Sequence, residues 1–310
     1  MDWQYSRRRF LVEAATLSAA AALASAGRGL AGVPQAGSAN EGIRFGYAAI
    51  TWGDKAAQAI DDISAVGYPG IQLRNDVTKS FQPAALREGL QQHKLKFVAL
   101  SSGDIHIDPA QHASDLEFHT ANAKYLHGAG GVYLQLIDQE LGQESFSAAD
   151  YKYLAGLMTE LGKRVSDMGV VLVYHNHLNS VSAHPEGLRR LFDQVDPRYV
   201  KLLLDIAHYQ AGGGDPVQAI RQYKENIVCL HIKDLGKPFD RPNDPHRLED
   251  FVELGRGMVN LPAVFDALHA IHFRGWTIVE LDHENDPSRS PKESAEISKD
   301  YLEKKLGMKV

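Results

Sequence analysis

The sequence predicts an α/β chain folded as a single (β/α)8 TIM barrel, and three observations carry that expectation. Eight short apolar runs each precede a helix-like stretch. The runs are continuous rather than alternating, as expected of parallel strands buried on both faces. The roughly 270 residues beyond position 40 match the size of such barrels, typically about 250 residues. A doubly wound open sheet is the competitor, and it loses because no glycine-rich phosphate fingerprint follows the first strand.

In order, "IRFGYAAI" opens the barrel and a helix over Asp54–Val66 ends at Gly67. "GIQL" is followed by a helix over Pro83–His93, and "LKFVAL" by a longer one near Ala113–Leu126. "GVYLQLI" precedes a helix from Ala148 to Met168, and "GVVLVYHNH" one near Pro185–Val195. "VKLLLDI" leads to Pro216–Tyr223, "NIVCLHI" to Pro262–Ile271, and "GWTIVEL" to a last helix near Pro291. Proline at a helix start and glycine past its end set several of these bounds.

Residues 1–39 read differently, as a leader and linker, leaving 40–310 as the catalytic barrel. "SRRRFL" precedes a mildly apolar, alanine-rich run. That pattern resembles a twin-arginine (Tat) export signal and implies a periplasmic or secreted protein. Small-residue sites at Ala26 and Ala39 could be cut, and the run is too short and alanine-rich for a stable membrane anchor. Removing it takes away four basic and two acidic groups, leaving 29 against 37 and moving the formal charge from −6 to −8. A chain that acidic is a poor nucleic-acid binder. The lone Cys229 lies in an apolar strand and reads as core packing. The sequence leaves a homo-oligomer open.

Barrels of this class place their chemistry at the C-terminal ends of the strands. The first four end in neutral groups such as Thr51, Gln72, Ser101 and Gln135. The last four end in His175-Asn176-His177, Asp205 with His208 beyond, His231/Lys233/Asp234, and Glu280/Asp282/His283. Strand period puts His175 and His177 on one side, with Asn176 opposite, and His231 and Lys233 repeat that geometry. Imidazole and carboxylate together suit a divalent ion. Barrel closure brings four neighbouring strand ends together, so His175, Asp205, His231 and Glu280 form the expected ligand set. Each has a structural alternative: the histidines hydrogen-bonded within the barrel, Asp205 capping the helix before Pro216, Glu280 in a solvated loop. Trp52, His106 and Arg256 are further pocket candidates, each more simply read as structural.

"YHNH", "LLLDIAHYQAGGGDP", "HIKD", "GRGMVNLPAVFDAL" and "GWTIVELD" resemble the xylose isomerase-like family of sugar isomerases and epimerases over residues 43–305. The resemblance implies a divalent metal, often manganese, and proton transfer beside the carbonyl of a sugar or cyclitol. It puts the family's metal aspartate on Asp205, its metal histidine on His231 and its last metal glutamate on Glu280. His208 matches the substrate-facing histidine. His175 stands where the best-known epimerases have glutamate, and Asn260 where aspartate is common.

With Glu280 the remaining strand-end glutamate, a symmetric two-carboxylate scheme is in doubt. Glu280 or a histidine takes the proton, and His177, His208 or Lys233 returns it or protonates a departing oxygen. The expected function is a metal-dependent sugar isomerase or epimerase acting on a small-molecule sugar. A lyase or dehydratase on a 3-keto-sugar or keto-glycoside shares its first step. A secreted sugar-binding protein without turnover is the alternative from another class. Manganese is the favoured ion, with zinc, cobalt, iron and magnesium compatible with the ligands. An apurinic endonuclease needs a richer zinc cluster and a basic DNA face, and the acidic chain argues against it.

Overall fold

Eight parallel strands close into a barrel in the computed structural model, which describes residues 42–139, 145–237, 250–284, 286 and 288–310. The leader expected over residues 1–39 lies outside the described residues. The strands are β1 (Arg44–Ala48), β2 (Gly70–Arg74), β3 (Lys96–Ile105), β4 (Tyr133–Asp138), β5 (Val171–His175), β6 (Val200–Asp205) and β7 (Ile227–Ile232), closed by β10 (Trp276–Val279). Each pairs with its sequence neighbour, and β10 joins β7 to β1.

Helices α1 (Ala56–Val66), α3 (Pro83–Gln92), α4 (His112–Gly128), α5 (Ala148–Ser166), α6 (Pro185–Phe192), α8 (Pro216–Gln222), α9 (Leu261–Ala270) and α10 (Pro291–Lys304) sit within a few residues of the expected spans. Their starts follow from local chemistry. Ser147 and Ser290 cap α5 and α10 through reciprocal bonds with Asp150 and Glu293, and proline opens α3, α6, α8 and α10. Two helices were not legible as such: α2 (Val77–Ser80) and α7 (Ile206–Ala211), each under two turns. Also unforeseen is a two-residue antiparallel pair, β8 (Asp234–Leu235) with β9 (Phe251–Val252).

Apolar burial divides into two clusters. The larger lies between the strands and the helical layer. The smaller fills the lumen, where Val98, Tyr133, Val173, Leu203, Cys229 and Ile278 interdigitate below the strand ends. Gly70 is required there, because a Cβ would meet the Trp276 ring at 2.4 Å. The plug matters for function: it closes the barrel beneath the mouth and excludes water from that side of any site above it.

The resembling "HIKD" and "GRGMVN" stretches meet at one carboxylate. Asp234 accepts backbone N–H bonds from Leu235, Gly255, Gly257 and Val259 at 2.9–3.0 Å. A Cβ on Gly257 would lie 2.3 Å from the Asp234 Oδ1, so that position excludes a side chain. Asp234 therefore shapes the loop after β7. Asn260, where the family often has aspartate, caps α9 by accepting from the Ala263 N–H at 3.2 Å.

Candidate active site

Side chains from four neighbouring strand ends converge at the barrel mouth. Register explains how: Asp205 sits directly across from His231, and His175 is level with Leu203. Glu280 follows the last register pair of β10 and is pinned by its N–H to the Ile232 carbonyl at 3.1 Å. One nitrogen or oxygen from each of His175, Asp205, His231 and Glu280 lies within 4.8 Å of the others, and all four residues are buried.

These atoms fit a divalent ion on their own chemistry. His175 Nε2, Asp205 Oδ2 and His231 Nδ1 are buried and have no hydrogen-bond partner. Buried polar atoms are seldom left so, and three of them converging on one spot suit a metal ion. His231 Nδ1 stands 3.1 Å from Glu280 Oε1 and 3.6 Å from Asp205 Oδ2, and His175 Nε2 stands 3.4 Å from Asp205 Oδ2. Ligands about 2.1 Å from a tetrahedral ion are separated by about 3.4 Å, close to these three separations.

Asp205 resolves its two readings by doing both jobs. Its Oδ1 accepts from the N–H groups of Ala207 and His208 at 2.8 Å, capping α7, while Oδ2 is left for the cluster. The helix at Pro216 is capped instead by Asp215. Asn176, turned away from His175 and His177, clamps both backbone groups of Asp205 at 2.9 and 3.0 Å. The strand alternation thus places ligands inward and the clamp outward.

Two glutamines orient the imidazoles. The Nε2–H of His231 donates to Gln72 Oε1 at 3.0 Å, which leaves the Nδ1 lone pair toward the cluster. Gln135 stands 3.4 Å from the Gln72 amide and 3.1 Å from His175 Nδ1. The Gln135 amide oxygen accepts from the Gln72 amide, and the Gln135 amide nitrogen faces His175 Nδ1, so the two glutamines link the imidazoles of His231 and His175 in one chain. Sequence reading took both glutamines as neutral strand ends. Their spatial pairing with histidines is what makes them informative.

The electrostatics favour positive charge at the cluster. Burial lowers the pKa of His231, but Glu280 and Asp205 outweigh it and raise the group to about 9. His175, buried and facing His231, is lowered to about 4. Burial opposes ionisation of Asp205 and Glu280, yet the surrounding cations hold both well below the usual carboxylate range. Asp282 lies on the other side of that balance, raised first by burial despite Lys233.

Lys233 is fully buried behind this arrangement. Its Nζ lies 2.8 Å from Glu280, 2.7 Å from Asp282, 3.3 Å from Asp205 and 3.3 Å from His208 Nε2. The Phe251 ring covers it at 4.5 Å. His208 is likewise buried, with its ring 3.8 Å from that of His177 and its Nδ1 accepting from the Leu178 N–H. Neither Lys233 nor His208 lines the cavity above the cluster, whereas His175, His177, Glu280 and Asp282 do.

That cavity has a volume of about 390 Å³ and is walled on the opposite side by the ends of β2 and β3. It accommodates a monosaccharide-sized molecule. Of the other expected pocket groups, Trp52 donates to Asp62 and packs on Tyr47, and Arg256 pairs with Glu253 on the surface. Neither lines the cavity. His106 sits beyond β3, held by Asp115. Sequence reading missed the cavity residues Arg74, Asn75 and Asp104.

A model of the xylose isomerase-like TIM barrel family matches residues 60–305. The inosose dehydratase of Geobacillus kaustophilus is 25% identical over 294 residues, covering 84% of this chain and 94% of that protein. The inosose dehydratase of Lacticaseibacillus casei is 27% identical over 266 residues, covering 79% and 88%. Among solved structures, the IolI protein with a bound zinc atom superposes with a TM-score of 0.71 at 20% identity, covering 84% of this chain and 97% of its own. The family model spans most of the barrel, and the chain belongs to the xylose isomerase-like TIM-barrel family.

Proposed function

We propose that this protein is a divalent-metal-dependent lyase or dehydratase that removes a proton beside the carbonyl of a keto-sugar or cyclic polyhydroxy ketone and then expels a β-oxygen. The observation that carries the reading is the asymmetry of the cluster: Glu280 is its one cavity-lining carboxylate, with imidazoles from His175 and His231 beside it. The inosose dehydratase relatives support the elimination arm, and the zinc in IolI supports an ion at such a site.

His175, Asp205, His231 and Glu280 would hold the ion. A divalent ion there polarises the carbonyl and stabilises negative charge developing on its oxygen. Glu280 Oε1 is paired with Lys233 at 2.8 Å and lies 3.1 Å from His231 Nδ1, and no contact to its Oε2 occurs among the described residues. That oxygen is the base: it takes the α-proton, and the C–H electron pair becomes the new carbon–carbon double bond as the β-oxygen leaves. His177 lines the same cavity, with Nδ1 donating to the Leu178 carbonyl at 2.7 Å. As the imidazolium, which carries a proton on each nitrogen, it would give one to the leaving oxygen and keep the other on the Leu178 carbonyl. Lys233 favours the ionised form of Glu280 and holds both Glu280 and Asp282 from behind.

An isomerase or epimerase is the second reading, because His177 lines the same cavity as Glu280 and can return a proton to the carbanion carbon. Deuterium wash-in from D2O into inosose and keto-glycosides, on manganese-loaded protein, tests the common step. Loss of water or aglycone then marks the lyase, and deuterated epimer marks the isomerase. Binding without any exchange would instead fit the non-catalytic sugar binder and overturn the proposal. The twin-arginine leader supports, as part of the same proposal, work outside the cytoplasm.

A further inference from the structure

The polar face of α4 is spent on a single task. Asp115, His119 and Asn122 recur at i, i+4 and i+7, the spacing of one helix face, and all three are buried. Each bonds to the end of β3. Asp115 accepts from the backbone N–H and from Nδ1–H of His106 at 2.8 and 2.7 Å. Asn122 donates to the Ser102 hydroxyl at 2.9 Å, and that hydroxyl donates to His119 Nδ1 at 2.7 Å. His119 Nε2–H then donates to the backbone carbonyl of Asp104 at 3.0 Å. From the other side, the amide of Asn75 on the β2 turn reaches the Ser102 carbonyl at 2.9 Å.

This clamp holds irregular backbone. The register between β3 and β4 shifts between Ser101 and Asp104, and Gly103 has φ +97°. A bulge of that kind re-aims a side chain, and such bulges recur beside active sites. Here Asp104 joins the cavity wall, which Arg74, level with Ser101 at the end of the paired strand, also lines. Neither the Asp104 carboxylate nor the Arg74 guanidinium has a hydrogen-bond or ion-pair partner among the described residues. A fully bonded buried network that fixes a backbone while leaving its charged side chain free is the build of a binding subsite.

We propose that Asp104 and Arg74 form a recognition subsite for vicinal hydroxyls on the part of the substrate distal to its carbonyl, which makes the substrate class a neutral, unphosphorylated polyol. The proposal rests on the reading above for which end of the substrate meets Glu280. The carboxylate accepts from two neighbouring hydroxyls and the guanidinium donates to their oxygens. Arg74 is the one lysine or arginine among the cavity-lining residues, and the carboxylates of Asp104, Glu280 and Asp282 that also line it oppose an anionic phosphate. Both side chains are exposed to the open cavity, where a ligand can reach them.

The test is calorimetric binding of inosose to manganese-loaded wild type, Asp104→Asn and Arg74→Met, with manganese affinity measured in parallel. Each substitution should weaken inosose binding about 10- to 100-fold, the scale of hydrogen bonds to a charged group, while leaving manganese affinity unchanged. Unchanged inosose binding in both variants overturns the subsite. So does a wild type that binds no inosose, or an equal fall in manganese affinity, which would place the lesion at the cluster. Fructose 6-phosphate bound more tightly than fructose, and tighter still in Asp104→Asn, overturns the neutral-polyol class. If inosose binds with the expected losses but exchanges no proton in D2O, the subsite stands and the proton-abstraction reading falls.

Discussion

Replacing Glu280 with glutamine separates holding an ion from moving a proton. The side chain keeps its size and one carbonyl oxygen, so a neutral donor still points toward the cluster, but no group there can accept a proton. The structure sets the size of each effect. Oε1 of Glu280 contacts Lys233 at 2.8 Å and His231 at 3.1 Å, and Lys233 keeps Asp282 and Asp205 when that charge is lost. The fold should therefore survive, and metal affinity should fall but recover with excess ion. Proton abstraction should not recover: general-base help of about 10²–10⁴-fold, or about 3–5 kcal/mol of barrier, leaves with the carboxylate. The assay is deuterium incorporation at the substrate α-carbon in D2O with saturating manganese, run beside His177→Ala and His208→Ala. Exchange that returns in Glu280→Gln at saturating metal would refute the assignment and hand the base to a histidine. His177→Ala should retain exchange and lose elimination.

Wild-type protein should carry about one divalent ion per chain by elemental analysis, and His231→Ala or Asp205→Ala should strip it; full occupancy in both would show the site is elsewhere. Gln72→Leu removes the acceptor that fixes the His231 tautomer and should cost about 10- to 100-fold in metal affinity, read by chelator competition. His119, buried and neutral with its pKa lowered to about 4, should make stability depend on acid. The unfolded chain gains that proton below about pH 6.5 and the native one only near pH 4, so stability should fall by about 3 kcal/mol across that window. Denaturant unfolding at pH 7 and pH 4.5 should show a smaller drop in His119→Gln, and an identical drop would contradict the linkage. Lysine at both Arg7 and Arg8 should block export without altering the folded barrel, and unchanged periplasmic accumulation would count against the leader.

The barrel was legible because its signals are local. Continuous apolar runs and helix-opening prolines each act within a few residues, and the missing glycine-rich fingerprint set a closed barrel of eight such units above an open sheet. The convergence of His175, Asp205, His231 and Glu280 also followed from sequence, since parallel strands of a closed barrel must end at a common mouth. What sequence could not supply was anything that depends on which groups meet across the fold. Gln72 and Gln135 are unremarkable until β2 and β4 bring them against His231 and His175. Lys233 was named with the proton-moving groups from alternation alone, yet Asp282 and Phe251 enclose it away from the cavity. Asp104 is invisible in the strand pattern because a bulge breaks the period that predicts facing, and the helix that enforces the bulge lies on the far side of a loop. Periodicity fixes which residues can face inward; only closure of the barrel decides which of them have partners and which are left free for a ligand.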